Sequence, residues 1–336
     1  MNTTSMSVSV ILEWENATHA SQDRPRQTLA ALRTQASECF SDTPSFPSNV
    51  DSRVRLPTPL DLIIPYDSNE VDESEVRRVV SEFITESESL HVRMIPVGDG
   101  TYCRQKNAGA AVATGEIIIL LDSDVTPEPN WLASFMRAFS DPRVQVAVGN
   151  TYVDISPGDA YSRSMALTWM FPLRDTEGGL RPSDWFYANN VAFRREILLS
   201  HPFPHTPGLK HHPATLLVRQ LEQEGITLWH VGDARGHHPT PNGIVHFCQR
   251  AIAAGRARAF THDSVALSSV ADWIRRDALE VGWYVKRIVR EGAKVGMHWW
   301  QMPAAMGVTL AYHLLRSGGS LLTAAAPGLM RNRFEL

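Results

Sequence analysis

The chain has 336 residues, 43% of them hydrophobic and 20% charged, a composition typical of a globular protein with a sizeable core. Its formal net charge of −4 gives no electrostatic case for a nucleic-acid partner. The three cysteines form neither a zinc pattern nor a disulfide framework, and the N-terminal residues lack the basic region and long apolar core of a signal peptide. We therefore expect a cytoplasmic protein.

Short apolar runs alternate with helical patterns along the first 140 residues. Strands are predicted over 8–12, 60–65, 91–96 and 117–121, helices over 23–38, 72–87, 103–114 and 127–139, and a loop rich in Ser and Pro over 41–59. This alternation predicts an α/β fold with a doubly wound, mostly parallel sheet flanked by helices. In such sheets, ligands bind at the carboxyl ends of the strands.

Polar side chains follow three of these strands where each strand ends. They are Glu13, Glu15 and Asn16, then Asp67 and Ser68, and then Asp122, Ser123 and Asp124. Because the carboxyl ends of parallel strands meet at one edge of a sheet, we expect these side chains to form a single site.

Asp122 and Asp124 are the strongest signal, since the buried strand over 117–121 runs directly into them. Like charges held this close repel unless a cation lies between them. Carboxylate oxygens suit Mg²⁺ or Mn²⁺, ions that also bind substrate phosphates. The alternative is a strand-end turn with an Asp cap for the helix predicted over 127–139.

Three weaker patterns accompany this pair. Lys106-Asn107-x-Gly109 lies near a helix start, where a lysine and backbone N–H groups meet phosphates, although a solvated lysine is the alternative. Residues 184–196, DWFYANNVAFRRE, combine aromatic and amide groups suited to a sugar, or form a buried strand that enters a helix. His238, after the apolar strand ITLWHVG, is either a metal ligand or a surface histidine.

Together these motifs resemble a family 2 glycosyltransferase of GT-A fold over residues 7–240. The resemblance is carried by Asp67-Ser68, Lys106-Asn107-x-Gly109, GEIIILLDSDVTPEPNWL, ANNVAFRRE, LVRQLEQEGITLW and the later HHP. It implies a nucleotide-diphosphate sugar donor of the UDP or GDP type, a divalent cation on Asp124 with His238, and a nucleotide contacted by Asp67.

From the motifs and the resemblance together we expect two sets of binding residues. The metal set, for Mg²⁺ or Mn²⁺, is Asp122, Asp124 and His238. The set expected to bind the donor is Glu13, Asn16, Asp67, Lys106, Asn107, Asp122, Ser123, Asn189 and Asn190.

The chain departs from the family pattern at two places. Family members usually open the first loop with Pro-Thr-x-Asn, where this chain has Glu13-Trp14-Glu15-Asn16. They also carry Glu-Asp before a Leu-x-x-Arg-Leu helix, with the Asp as catalytic base. Alignment on Arg219 puts His212 and Pro213 at those positions, and proline cannot accept a proton.

Three residues are candidates to replace the missing base. His211 and His212 lie at or beside the vacant position, and an imidazole with a pKa near ~6.5 suits a base at neutral pH. Asp184 precedes the segment expected to bind the acceptor. The alternatives are that the histidines are loop residues, that no strong base is needed, or that the protein no longer turns over.

The leading hypothesis is a metal-dependent, inverting glycosyltransferase with a small-molecule, lipid or glycan acceptor. One rival is a non-catalytic nucleotide-sugar-binding protein, and another is a nucleotidyltransferase, against which stands the lack of a Gly-rich loop after the first strand. Residues 1–262 are expected to form the GT-A domain, and 263–336 an apolar helical tail.

The tail carries an apolar stretch over 297–315, interrupted by Pro303 and containing His298 and His313. A spanning helix needs ~20 predominantly apolar residues. A helix packed on the core or lying on a membrane surface is therefore favoured over one that crosses the bilayer. We expect membrane-surface contact through 297–330, peripheral at the inner face of the membrane.

Overall fold

The structure is a computed structural model that describes residues 6–19, 23–40, 56–84, 89–98, 100–205, 212–261, 270–326, 328 and 330. Its strands are β1 (Val8–Glu13), β2 (Leu60–Asp67), β3 (Leu90–Val97), β4 (Ile117–Asp122), β5 (Thr126–Pro127), β6 (Val146–Val153), β7 (Leu180–Ser183), β8 (Asn190–Arg194) and β9 (Leu228–His238). Its helices are α1 (Glu15–His19), α2 (Asp23–Phe40), α3 (Glu73–Phe83), α4 (Tyr102–Val112), α5 (Trp131–Phe139), α6 (Ala160–Thr168), α7 (Arg195–Ser200), α8 (His212–Gln223), α9 (Gly243–Thr261), α10 (Val270–Glu291) and α11 (Met302–Ala325). Two 3-10 turns, Gly292–Val295 and Trp299–Gln301, separate α10 from α11.

The strands form one mixed sheet in the order β3-β2-β1-β4-β8-β6-β9-β5, and β7 also pairs with β9. The pairs β3–β2, β2–β1 and β1–β4 are parallel, as the alternation of strands and helices predicts. The β4–β8, β6–β8, β5–β9 and β7–β9 pairs are antiparallel. Because β1 pairs in parallel with both β2 and β4, the carboxyl ends of these three strands lie side by side.

Both faces of the sheet are covered, which is why its central strands are continuously apolar. In β4, Ile117, Ile119 and Leu121 pack into the core on one face of the sheet. Ile118 and Leu120 point into the core on the other face, since successive side chains of a strand alternate. A strand buried in this way holds the residues at its end rigidly.

The structure confirms the predicted strands and refines the helices. The four predicted strands each extend by one or two residues at an end, so that Glu13, Asp67 and Asp122 become the last residues of β1, β2 and β4. The helix expected over 127–139 begins only at Trp131. Asp124 therefore lies seven residues before that helix and does not cap it. Most of the predicted loop over 41–59 is outside the described residues.

The chain divides into two compact units. The first comprises Met1–Thr151, Arg174–His205 and Pro213–His238, and contains the apolar cores on both faces of the sheet. The second comprises Tyr152–Leu173, Thr206–His212 and Pro239–Leu336. The expected domain over 1–262 therefore contains segments of both units.

The second unit is helical and its helices are linked by partly buried ion pairs. Arg316 of α11 lies 3.1 Å from Asp277 of α10 and also pairs with Glu280, while Arg258 of α9 pairs with Asp277. Three helices are thereby linked by four charged side chains. Within the described residues, no helix has both the length and the apolar character needed to cross a bilayer.

Candidate active site

Asp122, the last residue of β4, is paired with a buried lysine. The Lys106 ammonium nitrogen lies 2.7 Å from Asp122 Oδ1, and the lysine side chain is 0% exposed. Lys106 comes from α4, which packs against β1 and β2. For Asp122, the cation that balances the carboxylate charge is therefore the Lys106 side chain. Lys106 does not face solvent as a free phosphate ligand would.

Tyr102 is a site residue that the sequence interpretation missed. Its hydroxyl lies 3.0 and 3.1 Å from the two carboxylate oxygens of Asp122, to which it donates a hydrogen bond. The Lys106 ammonium also lies 4.3 Å from the centre of the Tyr102 ring, a cation–π distance. The signal was present in the sequence, because residues four apart share one face of a helix.

Glu13 and Asn16 complete this buried cluster at the adjoining strand end. The Asn16 amide donates to Glu13 Oε1 at 2.7 Å and to Asp122 Oδ2 at 3.1 Å, so it bridges two carboxylates. Burial raises the pKa of Glu13 well above its ordinary value, and the negative charge of Asp122 raises it further. Burial likewise raises the pKa of Asp122, which Lys106 opposes. Two of the three strand-end clusters predicted from sequence, those of β1 and β4, are thus in contact.

Asp124 and His238 form a separate pair at the same edge of the sheet. His238 Nε2 lies 3.3 Å from Asp124 Oδ2, and both residues are buried. The two-residue strand β5 creates this pairing, since Thr126 is in register with His237 of β9. Asp124 and His238, 114 positions apart in sequence, are thereby brought into contact.

The donor atoms of this pair fit a divalent cation. Ligand bonds of about 2.1 Å at angles between 90° and 109° put two ligand atoms roughly 3.0–3.4 Å apart, which brackets the observed separation. Among the described residues, no group of three or more His, Cys, Asp and Glu side chains is arranged to hold a metal ion. A cation held by this pair alone would need substrate phosphates and water to complete its coordination.

Asp67, expected to contact the nucleotide, organises the loop at the end of β2. Its Oδ1 accepts a hydrogen bond from the backbone N–H of Asn69 at 2.8 Å, and its Oδ2 accepts one from the backbone N–H of Gly100 at 2.9 Å. The second bond connects the end of β2 to the segment that enters α4. Ser123, between the two aspartates, is buried, and its hydroxyl has no hydrogen-bond partner within the described residues.

Asn107 and the glycine of the Lys106-Asn107-x-Gly109 motif have packing roles. The Asn107 amide donates to the Phe203 carbonyl at 2.8 Å, and its Oδ1 accepts from the Phe203 N–H at 3.0 Å. A Cβ added to Gly109 would lie 2.7 Å from Ile11 Cγ2, so the glycine allows α4 to approach β1. The side-chain amide of Asn107 is thus bonded to the backbone of Phe203.

Asn189 and Asn190, expected near the sugar, are also held by the protein. The Asn190 Oδ1 accepts from the Trp131 indole at 2.8 Å, and its amide donates to the Ala234 carbonyl at 3.2 Å. A Cβ at Gly149 would lie within 2.5 Å of that amide, so β6 needs a glycine there. Asn189 accepts from the Thr151 hydroxyl at 3.1 Å. Both side chains therefore connect the start of β8 to neighbouring elements of the fold.

Of the three candidate catalytic bases, the structure describes only the side chain of Asp184. Asp184 follows β7 and is exposed. Helix α8 begins at His212, and Pro213 occupies its first turn, a position that suits proline because the first helical N–H groups have no partner within the helix. His211 and the side chain of His212 are outside the described residues.

Comparison with known proteins shows which family the chain resembles. Residues 44–199 match the family model described as glycosyl transferase family 2. The match covers just under half of the chain, and over that segment the chain is similar to family 2 glycosyltransferases. A glucosyl-dolichyl phosphate glucuronosyltransferase from Haloferax volcanii is 28% identical to this chain over 198 residues, which are 54% of the chain and 59% of the relative. The match therefore spans less than two thirds of that relative's length.

Solved structures show that the fold of this chain is GT-A. S. aureus TarS 1-349 in complex with UDP-GlcNAc superposes with a TM-score of 0.50 at 11% identity, covering 95% of this chain and 92% of that one. The mannosyltransferase PcManGT from Pyrobaculum calidifontis, in complex with GDP-Man and Mn²⁺, gives 0.52 at 16% identity, covering 95% and 88%. Identities this low establish the fold alone.

Proposed function

We propose that this protein transfers a sugar from a nucleotide-diphosphate sugar to an acceptor, with inversion at the anomeric carbon and with help from a divalent cation. The observation that carries the proposal is the Asp124–His238 pair, 3.3 Å apart at the carboxyl-terminal edge of the sheet. An acidic oxygen and an imidazole nitrogen at this spacing suit Mg²⁺ or Mn²⁺ with a diphosphate on the remaining positions.

The residues around this pair have distinct roles in the proposal. Asp124 and His238 hold the cation, which neutralises charge that develops on the departing diphosphate. Asp122 keeps the end of β4 in place through its buried pair with Lys106, and so fixes the turn that presents Asp124. A rigidly held ligand loses little conformational entropy when the donor binds.

The relatives suggest the class of donor and acceptor. TarS is described with UDP-GlcNAc and PcManGT with GDP-Man, which supports a UDP- or GDP-sugar here. In our proposal, the nucleotide lies near Asp67 at the end of β2. The Haloferax volcanii relative is named for a dolichyl phosphate substrate, which favours a lipid-linked acceptor over a free glycan.

Inversion requires a group that removes the acceptor proton during attack on the anomeric carbon. Pro213 stands where the family pattern places that carboxylate. In the proposal, His212 or its neighbour His211 takes over this role, with Asp184 as the next candidate. Histidine titrates near neutral pH, so its unprotonated form is well populated under physiological conditions.

The same substitution favours a second candidate function, a protein that binds a nucleotide sugar without turning it over. Pro213 has no side-chain acceptor, whereas the Asp124–His238 pair that would hold the donor is intact. Donor binding with no transfer to any acceptor separates this function from the first.

A thermal-shift panel of nucleotide sugars tests the proposal, since a ligand that binds only the native state stabilises it by RT ln(1 + [L]/Kd). The panel holds UDP- and GDP-sugars, each with Mn²⁺ and with EDTA. We expect one nucleotide class to raise the Tm in the presence of Mn²⁺, by an amount that grows with its concentration. No shift with any nucleotide sugar contradicts donor binding, and equal shifts with Mn²⁺ and EDTA contradict the role of the metal.

A further inference from the structure

The last long helix presents an unbroken apolar face to solvent. Every exposed residue of α11 (Met302–Ala325) is apolar or glycine, and the largest are Leu310, Leu314, Leu321 and Leu322. The only charged residue of this helix, Arg316, is turned towards Asp277 and Glu280. Its 24 residues correspond to a stripe about 36 Å long. Contiguous apolar surface on this scale marks an interaction site in a water-soluble fold.

Large aromatic and aliphatic side chains extend this surface beyond α11. Trp299 and Trp300, in the 3-10 turn before α11, are 76% and 58% exposed. On α10, Leu279 and Trp283 are exposed one helical turn apart. Helices α10 and α11 pack against each other. Exposed tryptophans cost free energy in water, whereas their amphipathic rings are stabilised at the boundary between lipid headgroups and acyl chains.

The charges around this surface are sorted by sign. Residues 275–326 contain seven basic and three acidic residues, a net charge of +4 in a chain whose net charge is −4. All of the exposed charged side chains in this range are basic, namely Arg275, Arg276, Lys286, Arg290 and Lys294. The acidic residues are held in ion pairs, Asp277 and Glu280 with Arg316, and Glu291 with Arg287. The surface offered to a partner is thus apolar and positively charged.

We infer that the face formed by α10, the Trp299–Gln301 turn and α11 docks on an anionic lipid bilayer. An amphipathic surface with Trp and Leu beside exposed Lys and Arg suits the headgroup region, where anionic lipids attract the basic residues. A second copy of this chain fits less well. A two-fold interface puts the same patch on both sides, so the five exposed positive charges of residues 275–326 would meet five more, and no acidic residue in that range is exposed.

Vesicle co-sedimentation of the full chain tests the inference. The probes are phosphatidylcholine vesicles with and without 30% phosphatidylglycerol, each at low and high salt. We expect binding to the anionic vesicles that weakens at least tenfold at high salt, because a Debye length of about 10 Å at 0.1 M screens the basic residues. Little binding is expected to vesicles of phosphatidylcholine alone. Glycosyl transfer is not needed for this readout, so its outcome is separate from the proposed function.

Matched variants locate the binding surface. Leu314→Glu lies on the exposed stripe of α11 and is expected to lower the partition constant about tenfold or more, since a charge replaces a leucine that would insert among the lipids. Leu199→Glu, an exposed leucine of the first unit, makes the same chemical change and should bind as the parent does.

Lys286→Glu with Arg290→Glu should lower binding by about fivefold or more per residue. Arg33→Glu, exposed on α2, is the control for a single charge reversal. Circular dichroism of each variant confirms that it is folded.

Three outcomes overturn the inference. The first is no binding of the folded parent protein to anionic vesicles. The second is binding that Leu314→Glu and Leu199→Glu change equally, since the stripe would then have no special role. The third is a concentration-dependent dimer in sedimentation velocity that Leu314→Glu dissociates while vesicles bind neither form, which assigns the face to a second copy.

Discussion

Lys106 and Asp122 form a fully enclosed ion pair, with the ammonium nitrogen 2.7 Å from Oδ1 and side-chain exposures of 0% and 6%. Tyr102 and Asn16 donate to the same carboxylate, so both of its oxygens have protein partners. A buried charge without its partner costs far more than an exposed one, because its desolvation is no longer offset.

Lys106→Met should therefore destabilise the protein by about 3–5 kcal/mol, as measured by urea unfolding. Adding Asp122→Asn, which removes the carboxylate charge but keeps an acceptor, should recover part of that loss. Arg77→Met is the control, because its pair with Glu73 is largely exposed and should be worth under ~1 kcal/mol. Strictly additive effects of the two buried changes would show that the pair is not coupled.

Asp124→Asn should abolish Mn²⁺-dependent donor binding while leaving the fold intact. The amide keeps the size of the carboxylate and loses the charge that a hard cation requires. Isothermal titration with the donor found by thermal shift, with Mn²⁺ and with EDTA, measures the effect. His238→Ala should behave similarly, and Asp23→Asn, at an exposed position, should not. Normal Mn²⁺-dependent binding by Asp124→Asn would remove this residue from the metal site.

If His211 or His212 is the base, its replacement by Ala should lower kcat by ~10²–10⁴ with little change in donor Kd. The interaction that is lost belongs to the transition state. The parent rate should fall as the pH is lowered through the histidine pKa, because a protonated ring cannot accept a proton. His91→Ala, at an exposed position in β3, is the control. Unchanged turnover in both variants transfers the assignment to Asp184, which Asp184→Asn tests.

His313 of α11 should make the protein less stable in mild acid. Burial, with the nearby Arg316 charge, lowers its pKa to about 4. Neither ring nitrogen has a hydrogen-bond partner within the described residues, and the ring packs against Tyr284. The nearby charged groups are Arg316, Glu280, Asp277 and Arg258.

The sign follows from proton binding. Between a pH of ~6.5, the ordinary histidine pKa, and a pH near 4, the unfolded chain binds a proton that the folded chain does not. Stability is therefore complete above that window and declines as the pH falls through it. His313→Phe should lose less stability between pH 7 and pH 4.5 than the parent, as measured by urea unfolding at each pH. Parallel pH profiles for the two proteins would contradict the shifted pKa.

The sequence alone was enough to predict the sheet and the edge at which the site lies. A continuously apolar run such as 117–121 indicates a strand that is buried on both faces of a sheet. The helices between successive runs connect strands that pair in parallel. It follows from parallel pairing that the carboxyl ends of β1, β2 and β4 lie at the same edge of the sheet. Hence the positions of Glu13, Asp67 and Asp122 were predictable without coordinates.

Only the tertiary structure decided what these side chains contact. Asp122 and Asp124 are two residues apart, yet Asp122 is bound by Lys106 while Asp124 pairs with His238. Asn190, whose motif is typical of a sugar site, instead binds Trp131. Periodicity reports which face of an element is apolar, because burial repeats with the period of that element. Partners distant in the chain depend on strand register and helix packing, and those are determined by contacts that no local pattern encodes.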